Sequence, residues 1–134
     1  MSDQDQNFRI RHTMLPVKSL DASIDFYSRL LGMTVIRRRF NEKRNETVAY
    51  VGYGEEPAFP SLELVEFNVN PPTIEPGPGH IAIGVNDLTK LAEMLEGEGV
   101  QFRQKVTPNR PGSPDLTAFV LDPDGHELEL TERH

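Results

Sequence analysis

Apolar positions recur along this chain with two alternating periods, and the order of the periods repeats. Leu15 and Val17 alternate with other residues as in a strand buried on one face. Leu20, Ile24, Tyr27 and Leu31 then recur at helical spacing. Ser19 or Asp21 can cap that helix by accepting hydrogen bonds from the unpaired first-turn amides, and Gly32 ends it. Residues 33–40, 47–53 and 61–69 read as three further strands, separated by a polar hairpin turn at 41–46 and a turn at 54–60. From residue 80 the order returns. Residues 80–85 read as a strand, and Asp87 caps a helix with Leu88, Leu91, Ala92 and Leu95 on one face, closed by Gly97 and Gly99. Strands at 100–105, 116–121 and 126–131 follow, with a Pro-rich loop at 107–115 and a strong turn signal in Asp122-Pro123-Asp124-Gly125. The predicted class is α+β: two paired β-α-β-β-β modules, at about residues 9–69 and 80–132, forming a curled mixed sheet. Residues 1–8 read as a flexible tail and 9–134 as one domain. Residues 70–79, with four prolines and two glycines, form the linker between modules.

The repetition extends to individual residues. Gly79-His80-Ile81-Ala82-Ile83-Gly84-Val85-Asn86-Asp87-Leu88 echoes Arg11-His12-Thr13-Met14-Leu15-Pro16-Val17-Lys18-Ser19-Leu20, pairing His80 with His12, Val85 with Val17 and Leu88 with Leu20. Ser61-Leu62-Glu63-Leu64 likewise resembles Glu127-Leu128-Glu129-Leu130, and Ala49-Tyr50-Val51 resembles Ala118-Phe119-Val120. Two copies indicate an internal duplication, where a solenoid would need more. Strand parity places His12, His80, Glu63 and Glu129 off the helix-packed face in both modules. A sheet curled to make that second face concave gathers two imidazoles and two carboxylates, a good set for a divalent metal. A single His at a strand start, or a Glu alternating with Leu, is ordinarily a solvated polar residue. The same residue types at the same places in both copies point to the metal set instead. His126 lacks a partner in the first copy and is expected to be exposed, with the terminal His134 frayed. Glu66 and Glu127 compete with the chosen carboxylates, but neither shows an acidic counterpart in the other copy.

Composition narrows the function classes. With 134 residues, 37% of them hydrophobic and 26% charged, the chain can bury a core. A net charge of -7 argues against nucleic acid or anionic membrane surfaces as partners. Arg37-Arg38-Arg39 is the one basic cluster and reads as a solvated strand or turn, because no Gly-rich loop accompanies it. The chain has no Cys, which excludes disulfides and thiolate chemistry. Its polar, acidic first residues are no signal peptide, and no apolar run reaches membrane-spanning length, so a cytoplasmic protein is expected.

Several runs carry a family likeness. They are His12-Thr13-Met14-Leu15, Leu20-Asp21-Ala22-Ser23-Ile24-Asp25-Phe26-Tyr27, Leu31-Gly32-Met33, Val51-Gly52-Tyr53-Gly54, Leu62-Glu63-Leu64, Gly79-His80-Ile81-Ala82 and Phe119-Val120-Leu121-Asp122-Pro123-Asp124-Gly125 with Glu129. Over about residues 10–132 they resemble the glyoxalase I (lactoylglutathione lyase) family of the vicinal oxygen chelate superfamily. The resemblance implies the glyoxalase/bleomycin resistance/dioxygenase fold and a homodimer with sites at the interface. It implies a six-coordinate divalent metal held by His12, Glu63, His80 and Glu129 plus waters, with Ni²⁺ or Co²⁺ favoured and Zn²⁺ as the alternative. The implied reaction isomerises the hemithioacetal of methylglyoxal and glutathione to S-lactoylglutathione. Such a proton transfer between adjacent carbons needs a base, and charge on the enediolate oxygens needs a Lewis acid. The family gives the base role to the position of Glu129, with Glu63 placed to act on the other stereoisomer.

Substrate contacts fall, by the same resemblance, at Arg110, Phe67 and Asn68. Two positions depart from the family pattern. Pro16 stands where an Arg would hold a glutathione carboxylate, and Phe67 stands where an Asn is expected, with Asn68 one place on. Two other readings stay open: a metal-dependent relative acting on another substrate, such as an epimerase, and a non-enzymatic antibiotic-binding resistance protein. A ring-cleaving dioxygenase is disfavoured, because it needs two His and one carboxylate with open positions on iron.

Overall fold

The computed structural model of the chain describes residues 8–56, 58–68 and 74–134. The chain divides into two compact units, with the boundary between Ile74 and Glu75. The first holds β1 (His12–Val17), α1 (Leu20–Asp25), β2 (Thr34–Asn41), β3 (Glu46–Gly52) and β4 (Ser61–Phe67). The second holds β5 (Ile81–Gly84), α2 (Leu88–Gly97), β6 (Phe102–Pro108), β7 (Leu116–Leu121) and β8 (Glu127–Glu132). Each builds a four-stranded mixed sheet, in the order β1-β4-β3-β2 and β5-β8-β7-β6. In both, the first strand lies parallel to the last and the remaining pairs are antiparallel. The β-α-β-β-β order expected of each half is therefore present twice, with matching topology.

Alternation decides which face each helix covers. Leu15, Val17, Ala49, Val51, Leu62 and Leu64 are buried in the first unit, where α1 packs on β3 and β4. Ile83, Ala118, Val120, Leu128 and Leu130 are buried in the second, where α2 packs on β6 and β8. Ser19 caps α1 by accepting from the Ala22 amide at 3.2 Å, and Asp87 caps α2 by accepting from the Lys90 amide at 3.1 Å. α1 widens into a single π turn, Phe26–Leu30, which ends where Gly32 takes a φ of +76° and the Met33 amide reaches the Tyr27 carbonyl at 2.9 Å. α2 ends at Gly97, its last residue, and Gly99 supplies the positive φ.

A second cap comes from far along the chain in each unit. The Leu20 amide donates to Glu66 Oε1 at 2.6 Å, and the Leu88 amide donates to Glu132 Oε1 at 2.7 Å. Glu66 thus does have an acidic counterpart, contrary to expectation, and it is Glu132. Both sit three residues beyond a candidate ligand, which in a strand is the opposite face, so they serve the helix rather than the site. Other expectations also need correction. His126 is buried rather than exposed, behind a turn in which Asp122 Oδ1 accepts from the Asp124 and His126 amides, both at 2.9 Å. The His134 amide donates to Asp115 Oδ1 at 2.8 Å, which ties down an end expected to fray. β6 runs on to Pro108, into the expected loop; it is an edge strand, where a missing N–H is tolerated. β4 ends at Phe67, while Val69 and residues 70–73 of the linker lie outside the described residues.

Candidate metal centre

The parallel pairing of β1 with β4 sets Met14 opposite Glu63, so His12, two residues earlier on the same face, leans over that carboxylate. His12 Nε2 lies 3.5 Å from Glu63 Oε1. The second unit repeats the arrangement: Ala82 opposes Glu129, and His80 Nε2 lies 3.4 Å from Glu129 Oε1. An aromatic ring stands edge-on to each imidazole, Tyr50 to His12 with centroids 5.5 Å apart and Phe119 to His80 at 5.3 Å.

Whether these residues fit a metal can be tested on their spacing. Two donors each about 2.1 Å from one ion stand roughly 3.0 Å apart at a right angle and about 3.4 Å at the tetrahedral angle. The observed separations of 3.5 and 3.4 Å lie within about 0.5 Å of the right-angle spacing that a six-coordinate ion needs, and both exceed the roughly 3.2 Å limit of a good N–H···O hydrogen bond. Imidazole nitrogen with carboxylate oxygen also suits a borderline divalent ion. Each unit supplies one such pair, and among the described residues no three His, Asp or Glu side chains gather into a single cluster. Each pair is half of the expected ligand set.

Beyond the pairs the two units differ. In the first, the Tyr50 hydroxyl donates to Glu63 Oε2 at 2.5 Å, Arg39 Nη2 donates to the Tyr50 oxygen at 3.3 Å, and Arg39 Nη2 also lies 3.6 Å from Glu63 Oε2. The Arg37 guanidinium sits 3.8 Å above the Tyr50 ring and reaches Glu56 at 3.3 Å. The Ser61 hydroxyl, followed by Arg37, holds the Glu56 carboxyl below the usual carboxylate range. In the second unit, Glu129 Oε2 has a single long contact among the described residues, 3.4 Å from the Thr117 hydroxyl. Glu129 is also the more open side chain, 26% exposed against 14% for Glu63.

Of the residues expected to touch substrate, Phe67 lies half-buried at the end of β4 on the Glu63 face, packed against Val48, Tyr50 and Val65. Asn68 is engaged with Asn45: its amide donates to the Asn45 carbonyl at 3.0 Å, and the Asn45 side chain donates back at 3.1 Å. Arg110 is exposed in the turn after β6, where its carbonyl accepts from the Ser113 amide.

The model of the Glyoxalase/Bleomycin resistance protein/Dioxygenase superfamily matches residues 9–130. The chain belongs to this superfamily. Among its relatives, a probable lactoylglutathione lyase of Vibrio cholerae is 38% identical over 94% of this chain and 91% of its own length. The lactoylglutathione lyase of Escherichia coli O157:H7 is 36% identical, with 92% of each chain covered. The solved structure of the trypanothione-dependent glyoxalase I of Leishmania major is similar in fold, with a TM-score of 0.80 and 35% identity over 94% of this chain and 87% of that one. Within the superfamily fold, sequence reasoning passed over Tyr50 and Arg39 as partners of Glu63, and Glu66 with Glu132 as helix caps. The signal for Tyr50 was present in the echo of Ala49-Tyr50-Val51 by Ala118-Phe119-Val120, whose middle residues differ by one hydroxyl.

Proposed function

We propose that this chain is a metal-dependent glyoxalase I, a lactoylglutathione lyase that isomerises the hemithioacetal of methylglyoxal and glutathione to S-lactoylglutathione. The observation that carries the reading is the duplicated His–Glu pair at ligand spacing at equivalent places in the two modules, and the lactoylglutathione lyases among the chain's relatives support it. His12, Glu63, His80 and Glu129 would hold the divalent ion, Ni²⁺ or Co²⁺ in preference to Zn²⁺. When bound, the ion would supply Lewis acidity to stabilise negative charge developing on the substrate. The active species is a homodimer, each site taking His12 and Glu63 from one chain and His80 and Glu129 from the other. A cytoplasmic location belongs to the same reading.

The chain's own residues then divide the work. Glu129, whose Oε2 is the less engaged carboxylate oxygen, takes the proton from the carbon that bears the sulfur and the hydroxyl. It returns that proton to the neighbouring carbon, the former ketone, whose oxygen takes up the hydroxyl proton of the first carbon as that carbon becomes the thioester carbonyl. A positioned base of this kind contributes roughly 10²- to 10⁴-fold. Phe67 packs on the cluster that includes Tyr50, on the Glu63 face of β4, and the exposed Arg110 is free to pair with a remote carboxylate of the thiol moiety. Pro16, which can pair with no carboxylate, favours a second reading in which a relative of this enzyme, such as an epimerase, acts on a different substrate at the same centre.

Metal analysis of the purified protein, with thioester formation from methylglyoxal and glutathione, trypanothione or a small uncharged thiol, tests metal and cosubstrate together. Bound divalent metal and thioester formation with glutathione are expected. Metal without thioester from any thiol would favour the epimerase reading, and absence of both would sink the proposal.

A further inference from the structure

The two half-centres share a His–Glu pair with an aromatic ring beside it and differ in what lies beyond, which makes each a control for the other. Strand register sets Tyr50 opposite Glu63 and Phe119 opposite Glu129. On the next strand, Arg39 opposes Val48 and Thr107 opposes Thr117. The first unit therefore places a phenol and a guanidinium where the second places a phenyl ring and a Thr. In both carboxylates Oε1 faces the imidazole, so the difference falls on Oε2 alone.

We infer that Tyr50, backed by Arg39, is a positioning residue that commits Glu63 to the metal and withholds its second oxygen from proton transfer, leaving Glu129 as the base. The inference rests on the proposed metal centre and says how its two carboxylates come to differ. A phenol donating to a carboxylate at 2.5 Å is at the short, charge-assisted end of O–H···O⁻ geometry. Arg39, donating to the phenol oxygen at 3.3 Å, polarises that hydroxyl toward Glu63. Arg37 over one face of the ring at 3.8 Å and the His12 edge at 5.5 Å fix the ring's orientation. Glu63 Oε2 is thereby occupied by a donor, and a carboxylate oxygen so engaged is a poor acceptor for a carbon-bound proton. Glu129 Oε2, with only the 3.4 Å contact from Thr117, keeps its lone pairs for substrate.

The test compares wild type, Tyr50→Phe and Phe119→Tyr as full-length proteins. Ni²⁺ affinity is measured by equilibrium competition against a chelator, and thioester formation from methylglyoxal and glutathione is measured at saturating Ni²⁺. Partners that orient metal ligands are typically worth 10–100-fold in affinity or activity, so Tyr50→Phe should bind Ni²⁺ at least about tenfold more weakly while its kcat at saturating Ni²⁺ is largely kept. Phe119→Tyr should do the reverse, keeping Ni²⁺ affinity and losing roughly tenfold or more in kcat, because its new hydroxyl engages Glu129. Thermal melts of the metal-free proteins check folding, and Arg39→Met, with a smaller loss of Ni²⁺ affinity expected, substitutes for Tyr50→Phe if that variant does not fold. Unchanged Ni²⁺ affinity in Tyr50→Phe overturns the inference, whatever Phe119→Tyr does. A wild type that binds no Ni²⁺, Co²⁺ or Zn²⁺ overturns the metal centre itself, which is a different failure.

Discussion

Glu63 and Glu129 occupy the same place in two copies of one module, yet their surroundings ask different things of them. Each faces an imidazole at 3.4–3.5 Å and an aromatic ring beyond it. Glu63 is then bound on its far oxygen by a phenol and a guanidinium, while Glu129 is left 26% exposed with one long hydroxyl contact. The lesson is that ligand identity and ligand role are set at different depths. Residue type at a strand position decides what can bind an ion, and the neighbour one strand away decides what else that residue can do.

The sharpest way to break this comparison is to neutralise the two carboxylates in turn. Glu129→Gln should lose roughly 10²- to 10⁴-fold in kcat while keeping most of its metal, since an amide oxygen still ligates but accepts no proton at neutral pH. Glu63→Gln should show the opposite balance, losing metal first and recovering activity as metal is added in excess. Parallel metal analysis and kinetics decide it; equal kcat losses at full occupancy would make the carboxylates equivalent. Next in size is complementation between halves. A His12→Ala chain and a His80→Ala chain, each inactive alone, should regain one intact site per mixed dimer, so a verified heterodimer should recover about half the wild-type activity per dimer if its two sites act independently. No recovery there would place all four ligands within a single chain.

A smaller effect is expected at the periphery. Arg110→Ala should raise KM for the glutathione adduct more than it lowers kcat, because a contact to a remote carboxylate acts alike on ground and transition states. Insensitivity of KM, together with equal use of an uncharged thiol, would remove glutathione as cosubstrate while sparing the metal chemistry. The smallest effect concerns the helix caps, where the two units should behave alike. Glu66→Ala and Glu132→Ala should each cost about 1 kcal/mol of stability, as loss of a cap typically does, with metal affinity unchanged. Thermal melts of both would show whether the units are matched in their scaffold and differ only at the site.

Much of this was legible in the sequence because it is local. Periodicity fixed the order of strands and helices, and Ser19 and Asp87 are caps whose partners sit three residues away. The duplication added what locality lacks: it set His12 and Glu63 apart from ordinary surface residues by repeating them as His80 and Glu129. The remaining features depend on pairs distant along the chain. Glu66 meets the Leu20 amide across 46 positions and Glu132 meets that of Leu88 across 44, which no window of helical or strand spacing reaches. Tyr50 meets Glu63 only because antiparallel register makes them neighbours. The burial of His126 depends on how the Asp122 turn folds over it, and the extension of β6 depends on its being an edge. Alternation alone could separate Glu63 from Glu66, but it could not say what the second carboxylate was for.

The single oxygen atom that distinguishes Tyr50 from Phe119 has a further consequence for how such a chain could arise. A short ancestral module encoded once, and assembled from identical copies, must place the same residue at every equivalent position. Any hydroxyl that restrained one carboxylate would restrain them all. Once the two copies are encoded in tandem, a single-base codon change suffices to make one member of the pair rigid and leave the other free. Fusion of the genes thus gives selection access to asymmetry, and the aromatic position on the third strand of each module is where this chain records it.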